Sequence, residues 1–217
     1  MISSEIKEAI QDLRFLLNRG YPRASAVEFI SDHYQLKLDQ RHLLARCVFS
    51  KNERVDHQER SIDAPEVEGR KLGVDGYNVL ITVESILEGK RVIICDDGFV
   101  RDLRAVFGKY KMSKATERAL DLLLSTVSNS KPNEVALLFD KQVSKSGELA
   151  SMARGKMDKM GIRGNARTVV GTDLKVRDFE VVSSSDRGII EKMKAVWDIP
   201  MAILRREKAT VLDLTEF

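Results

Sequence analysis

Lys71-Leu72-Gly73-Val74-Asp75-Gly76-Tyr77-Asn78 is the stretch on which the fold turns: a short apolar run, a carboxylate, then a glycine. The layout recurs downstream. Val92-Ile93-Ile94-Cys95 runs into Asp96-Asp97-Gly98, Leu137-Leu138-Phe139 into Asp140, and Val169-Val170-Gly171-Thr172 into Asp173. Val181-Val182 runs into Ser183-Ser184-Ser185-Asp186. Strands are expected at 71–74, 91–95, 135–139, 168–170, 179–182 and 201–204, and helices at 113–128, 147–160 and 187–196. Ser113 can cap the first of these helices and Gly161 can end the second. Alternating strands and helices predict an α/β fold, a three-layer α/β/α arrangement around an open, mostly parallel sheet. In such sheets the functional crevice lies beyond the carboxyl ends of the strands.

Upstream, the period changes. Ser4 is placed to cap a helix with Glu5 in its first turn, and Ile6, Ile10, Leu13 and Leu17 share one face. Arg19-Gly20 stops it. A second helix over 24–34 turns Ala26, Val27 and Ile30 inward, and a third starts near Asp39 and carries Leu43, Leu44 and Cys47. The pair outlines a helix-turn-helix. Residues 51–71 are charged and show no period. The expected division is therefore a small all-α domain at 1–56, a linker at 57–70 and an α/β domain at 71–217.

Composition narrows the class without naming a function. The 217 residues carry a net charge of +3, too mild to announce nucleic acid, and aromatic residues are only 6%. No apolar run approaches the roughly 18–20 residues a membrane span needs. The start, Met1-Ile2-Ser3-Ser4-Glu5, lacks a signal-peptide layout. Cys47 and Cys95 are too few for a disulfide scaffold and have no zinc-ligand spacing. A reduced, cytoplasmic protein with no membrane partner is expected, with self-association left open. Glycine-rich NAD or ATP signatures are absent.

Any one of the strand-end aspartates is explained by turn or N-cap chemistry. Five of them on parallel strands would converge, and like charges in one crevice repel unless protons or a cation neutralise them. Oxygen ligands without His or Cys suit Mg²⁺ or Mn²⁺. Carboxylate-held divalent ions are suited to phosphodiester hydrolysis.

Val74-Asp75-Gly76-Tyr77-Asn78 resembles the opening motif of the NYN branch of PIN-like nucleases. Leu138-Phe139-Asp140 resembles its second acidic strand end, and Val181-Val182-Ser183-Ser184-Ser185-Asp186-Arg187 its closing strand. The resemblance covers about residues 70–205. The whole chain is also similar to an uncharacterised, largely archaeal family in which a small helical domain precedes a PIN-like domain. The resemblance implies a metal-dependent endoribonuclease. It makes Asp75, Asp140 and Asp186 metal ligands, has Asn78 orient a ligand or the scissile phosphate, and has Ser185 support Asp186. Asp173 is taken as a further acid, with Asp97 or Asp178 as substitutes. The family opens a helix with that acid, whereas the five residues at 174–178 look too short for one.

Other candidates have competing structural readings. Asp97 belongs to an Asp-Gly that equally suits a hairpin tip, and Asp102 follows it. Ser144 precedes a helix and either caps it or helps its N-terminus hold a phosphate. His33, His42 and His57 read as surface or capping residues, and Trp197 and Phe179 as core. Arg41 and Arg46 of the helical domain, with Arg101 and Arg104, are candidate RNA-phosphate contacts. Two rivals to the nuclease are an RNA-binding adaptor without catalysis on the same fold, and a metal-dependent phosphatase acting on small esters.

Overall fold

The computed structural model describes residues 3–103, 110–207 and 211–217. In chain order the elements are α1 (Ser4–Asn18), α2 (Arg23–His33), α3 (Leu38–Cys47), α4 (Lys51–Arg60), β1 (Lys71–Asp75), α5 (Gly76–Leu87), β2 (Val92–Ile94) and β3 (Val100–Asp102). Then come α6 (Lys114–Asn129), β4 (Glu134–Asp140), α7 (Ser146–Lys159), β5 (Gly164–Val169), α8 (Thr172–Lys175) and β6 (Val181–Ser183). The chain ends with α9 (Arg187–Ile190), α10 (Ile199–Glu207) and β7 (Leu212–Asp213). Among the described residues, no helix is long and apolar enough to cross a membrane.

Two compact units divide the chain. The first joins Met1–Glu59 to Arg91–Leu103 and Val211–Phe217, and the second joins Arg60–Lys90 to Arg104–Thr210. The expected partition is corrected in two respects. Residues 57–60 belong to helix α4 rather than to the beginning of a linker, and the first unit is not all-α. It contains a three-stranded sheet of order β3-β2-β7, built from two segments far downstream in sequence. Ile93, Cys95 and Leu214 from those segments complete one apolar cluster with Ile10, Leu13, Leu44 and Phe49. Three short amphipathic helices bury too little surface by themselves, so the later strands supply the missing part of the core.

The second unit carries a four-stranded, all-parallel sheet of order β5-β4-β1-β6. Helix α5 packs on β1 and β4, and α6 and α10 pack on α5; α7 packs on β4 and β5. Helix α5 has no visible period because ten of its residues, Gly76 to Ile86, are buried nearly all round. The expected strand at 201–204 lies inside α10, where Ile203 and Leu204 are buried on one helical face. Of the helix expected at 187–196, only the first turn forms. The caps fare better. Ser113 accepts from the Ala115 N–H at 3.1 Å, and Gly161 ends α7 with φ +65°. Ser3, rather than Ser4, caps α1.

The acidic hairpin of the first unit is a structural device. The Asp97 carboxylate accepts two bonds from Arg101 at 2.6 and 2.7 Å, and Nδ1 of the buried His57 lies 2.8 Å away. Asp96 accepts from Arg14 Nε at 3.0 Å and from the Phe49 N–H at 3.0 Å. The Arg101 charge holds the Asp97 carboxyl down at about 2 in spite of burial. His57 is therefore a core residue, not a surface one. Arg101 is consumed by Asp97, which corrects its assignment as an RNA contact.

Two stability predictions follow from this packing. A Cβ at Gly164, where φ is +143°, would sit 1.9 Å from the Val135 carbonyl oxygen. Gly164→Ala should cost about 2–4 kcal/mol in urea unfolding; an unchanged midpoint would contradict the β4–β5 register. Arg101→Met strips the buried Asp97 of its cation and should cost about 3–5 kcal/mol, read in the same experiment.

Candidate functional site

Parallel pairing brings three strand ends to one rim of the second unit. Leu72, Gly73 and Val74 of β1 pair with Val181, Val182 and Ser183 of β6, so Asp75 and Ser184 continue side by side past the last paired residues. On the other flank Asp75 pairs with Leu138 of β4, and Asp140 lies two residues beyond. Asp75 must be followed by glycine. A Cβ at Gly76 would lie 2.6 Å from the Phe139 ring and 2.8 Å from the Leu138 carbonyl oxygen.

The serines of the closing strand divide their work between Asp75 and Asn78. Ser184 Oγ donates to Asp75 Oδ2 at 3.0 Å and accepts from the Asp186 N–H at 3.1 Å. Ser185 turns to Asn78. Its N–H and Oγ both donate to Asn78 Oδ1, at 2.9 and 3.0 Å. With the carbonyl side of Asn78 fixed in this way, its NH₂ group faces away from Ser185 as a donor. Ser184 was passed over because only the strand register, not residue type, shows which of three consecutive serines stands beside Asp75.

Asp75 is half-buried, and Asp186 and Asp173 are exposed. Burial, then the negative charges of Asp186 and Asp173, push the Asp75 carboxyl up to about 7, against the hydrogen bond from Ser184 and the nearby Asn78 N–H. Asp186 also caps α9, its Oδ1 accepting from the Ile189 N–H at 3.2 Å. Asp173 does stand on a helix, the four-residue α8, and lies 3.7 Å from Arg177. The Asp140 charge, after burial, raises the Tyr77 hydroxyl to about 12, and Asp140 Oδ1 accepts from the Gln142 N–H at 2.8 Å.

The remaining candidates separate from this group. Asp97 has both oxygens engaged by Arg101 and His57 of the first unit, so it does not serve as a substitute fourth acid. Asp102 is buried on β3 of that unit, and Asp178 is exposed on the turn after α8. Ser144 is exposed and caps nothing; the N-cap of α7 is Lys145, at φ +63°. Arg41 pairs with Asp32 at 2.8 Å and donates to the Leu36 carbonyl, Arg46 is half-buried on α3, and Arg104 lies outside the described residues. Asp96 and Asp97 follow a strand of the three-stranded sheet, so four strand-end acids, not five, belong to the parallel sheet.

The donors at the rim are carboxylates, a hydroxyl and an amide, which fits a hard divalent cation rather than zinc or copper. A cation would supply the positive charge that Asp75 lacks among Asp186 and Asp173. Among the described residues, no three His, Cys, Asp or Glu side chains already form a metal cage. The set fits a cation that keeps much of its water.

Residues 64–202 match the family described as "Domain of unknown function (DUF5616)". The chain belongs to that family. Residues 5–60 match a second family, "Protein of unknown function (DUF434)", so the change of family falls between the α4 end and the start of the second sheet. The chain is 35% identical over 196 residues to uncharacterized protein MJ0935 of Methanocaldococcus jannaschii, covering 89% of this chain and 94% of that one. No solved structure matches it.

Asp75 gives this site a pH signature. Its carboxyl titrates higher in the folded chain than in the unfolded one, so the unfolded state loses the proton first as pH rises. Stability therefore falls between about pH 4 and 7, with a slope of up to about 1.4 kcal/mol per pH unit. Asp75→Asn removes that penalty. In chelator, thermal melting should show the variant more stable than the parent by about 1–3 kcal/mol at pH 8 and by less at pH 5. An equal effect at both would mean that Asp75 ionises normally.

Proposed function

We propose that the second unit is a metal-dependent ribonuclease whose site is the strand-end rim of Asp75, Asp140, Asp173 and Asp186. One observation carries the reading: a half-buried carboxylate at the end of a central strand, braced by Ser184, with the like charges of Asp186 and Asp173 bearing on it. The buried Asp96 and Asp97 are arranged otherwise, each beside an arginine. The preference for RNA comes from the resemblance to NYN-type nucleases.

Asp75 and Asp186 would hold Mg²⁺ or Mn²⁺, with Asp140 and Asp173 on its flanks. Such an ion supplies the charge that phosphodiester hydrolysis needs on the attacking and leaving sides. The chain's own part is positioning. Ser184 fixes Oδ2 of Asp75 and so settles the direction of Oδ1. Asn78, clamped through its carbonyl by Ser185, offers its NH₂ to a phosphate oxygen. Cations follow the acids in the same loops, with exposed Lys141 after Asp140, exposed Lys175 after Asp173 and half-exposed Arg187 after Asp186. They offset the repulsion an acidic rim exerts on a polyanion.

The test is cleavage and binding of one pool of structured RNAs at fixed salt, with Mn²⁺ or chelator. Asp75→Asn and Asp186→Asn should each lower cleavage at least about 100-fold while binding holds, and the double variant should be little worse than either. Lys141→Ala with Arg187→Ala should instead weaken binding and flatten its salt dependence. Full cleavage by Asp75→Asn would sink the nuclease reading. Binding with no Mn²⁺-dependent cleavage would favour the adaptor, and turnover of small phosphate esters but not RNA the phosphatase.

A further inference from the structure

The two cysteines of the chain, 48 positions apart in the sequence, meet inside the first unit. Cys47 is the last residue of α3 and Cys95 the first after β2, and both are completely buried. Two hydrogen bonds fasten the strands of chain that carry them. The Asp96 N–H donates to the Cys47 carbonyl at 2.9 Å, and the Phe49 N–H donates to the Asp96 carboxylate at 3.0 Å. Both cysteines belong to one buried apolar cluster, and the Cys95 thiol donates to the Ile93 carbonyl at 3.7 Å. Disulfides require Cα separations of about 4.4–6.8 Å and facing Cβ atoms. A main-chain bond from the residue after one cysteine to the carbonyl of the other sets the two backbones side by side.

We propose that Cys47 and Cys95 form a reversible redox latch, in which a low-molecular-weight disulfide oxidises the pair to a bridge between the end of α3 and the β2–β3 hairpin. One thiol, as thiolate, attacks the small disulfide and expels a thiolate from it. The second cysteine loses its proton, attacks the resulting mixed disulfide and expels the other half. Two protein thiols are oxidised, and one disulfide is reduced to two thiols.

The surroundings suit this chemistry better than metal binding. Among the described residues, no third His, Cys, Asp or Glu joins the pair to make a metal set. Burial, followed by the contact with Cys47, pushes the Cys95 thiol well up, while the Arg101 charge pulls it down. In the closed protein the Cys95 thiol is therefore protonated and slow to react, and both sulfurs are buried, so oxidation proceeds through local opening. Once formed, the bridge joins segments that the unfolded chain holds far apart, which is where a cross-link stabilises most.

The test uses the full chain, reduced and then exposed to hydroxyethyl disulfide under native conditions. Peptide mapping without reductant should give a Cys47–Cys95 linked peptide, two hydrogens lighter than the separate peptides, from a monomer. Tm should rise by about 5 °C or more and return on adding dithiothreitol. Cys95→Ala should give no linked peptide; should that variant fail to fold, the parent's peptide map still decides. A mixed disulfide that persists on either cysteine, a cross-linked dimer, or thiols that react only after global unfolding would overturn the latch. So would a bridge that lowers Tm.

Discussion

The register between β1 and β6 is the constraint from which the rim is built. Side chains alternate along a strand, so a slip of one residue would move Ser184 off Asp75 and turn the closing acid the other way. Three paired residues alone would hold that register weakly, but β6 is fastened on its second side as well. The Val182 N–H donates to the Ala195 carbonyl, and the Trp197 N–H donates back to the Val182 carbonyl at 2.8 Å. Val196 is fixed in turn by Arg60 and Ile62. The residues that open the second unit thus hold the strand that closes its site. On the opposite flank Gly76 lets the Leu138 carbonyl and the Phe139 ring approach the turn after Asp75, closer than any side chain would permit.

Acids of one type take opposite roles according to their counter-charges. Asp97 is as buried as a carboxylate can be, yet Arg101 and His57 keep it ionised and its carboxyl near 2. Asp75 is less buried but faces Asp186 and Asp173, and its carboxyl rises to about 7. Burial alone therefore does not distinguish the two; the sign of the neighbours does. A charge already neutralised by arginine holds elements together, whereas one opposed by like charges is available to a proton, a cation or a ligand.

Much of this was legible in the chain before any coordinates. Strand, carboxylate and glycine at Val74-Asp75-Gly76 marked both the parallel sheet and its rim, and the capping residues Ser113 and Gly161 marked helix ends, because these are local signals. What failed was non-local. The 201–204 run is apolar enough for a strand, but its burial follows a helix face set by neighbours. Helix α4 hides in charge because His57 is its only buried residue, and its burial is met by Asp97 some 40 positions later. The first unit's sheet could not be read from the N-terminal segment, since its strands lie beyond position 90. Arg101 looked like any surface arginine because an ion pair with Asp97 shows only once the hairpin closes.

The same non-locality decides where a polyanion would find its attraction. The arginines that composition offers most readily are already committed: Arg14 to Asp96, Arg23 to Glu53, Arg41 to Asp32 and Arg101 to Asp97. Each holds two parts of the first unit together, and releasing it for a phosphate would leave a carboxylate uncompensated. The cations of the second unit's rim stand closer to solvent. Lys141 and Lys175 are exposed, and Arg187 pairs with Glu191 one turn along the chain, both partly exposed. A cation follows the acid closely in three of the four strand-end segments, after Asp140, Asp173 and Asp186, so on the proposed reading the rim would draw in a charged backbone while still presenting carboxylates to a metal. That pairing is a property of the loops, which is why a net charge of only +3 says nothing against it.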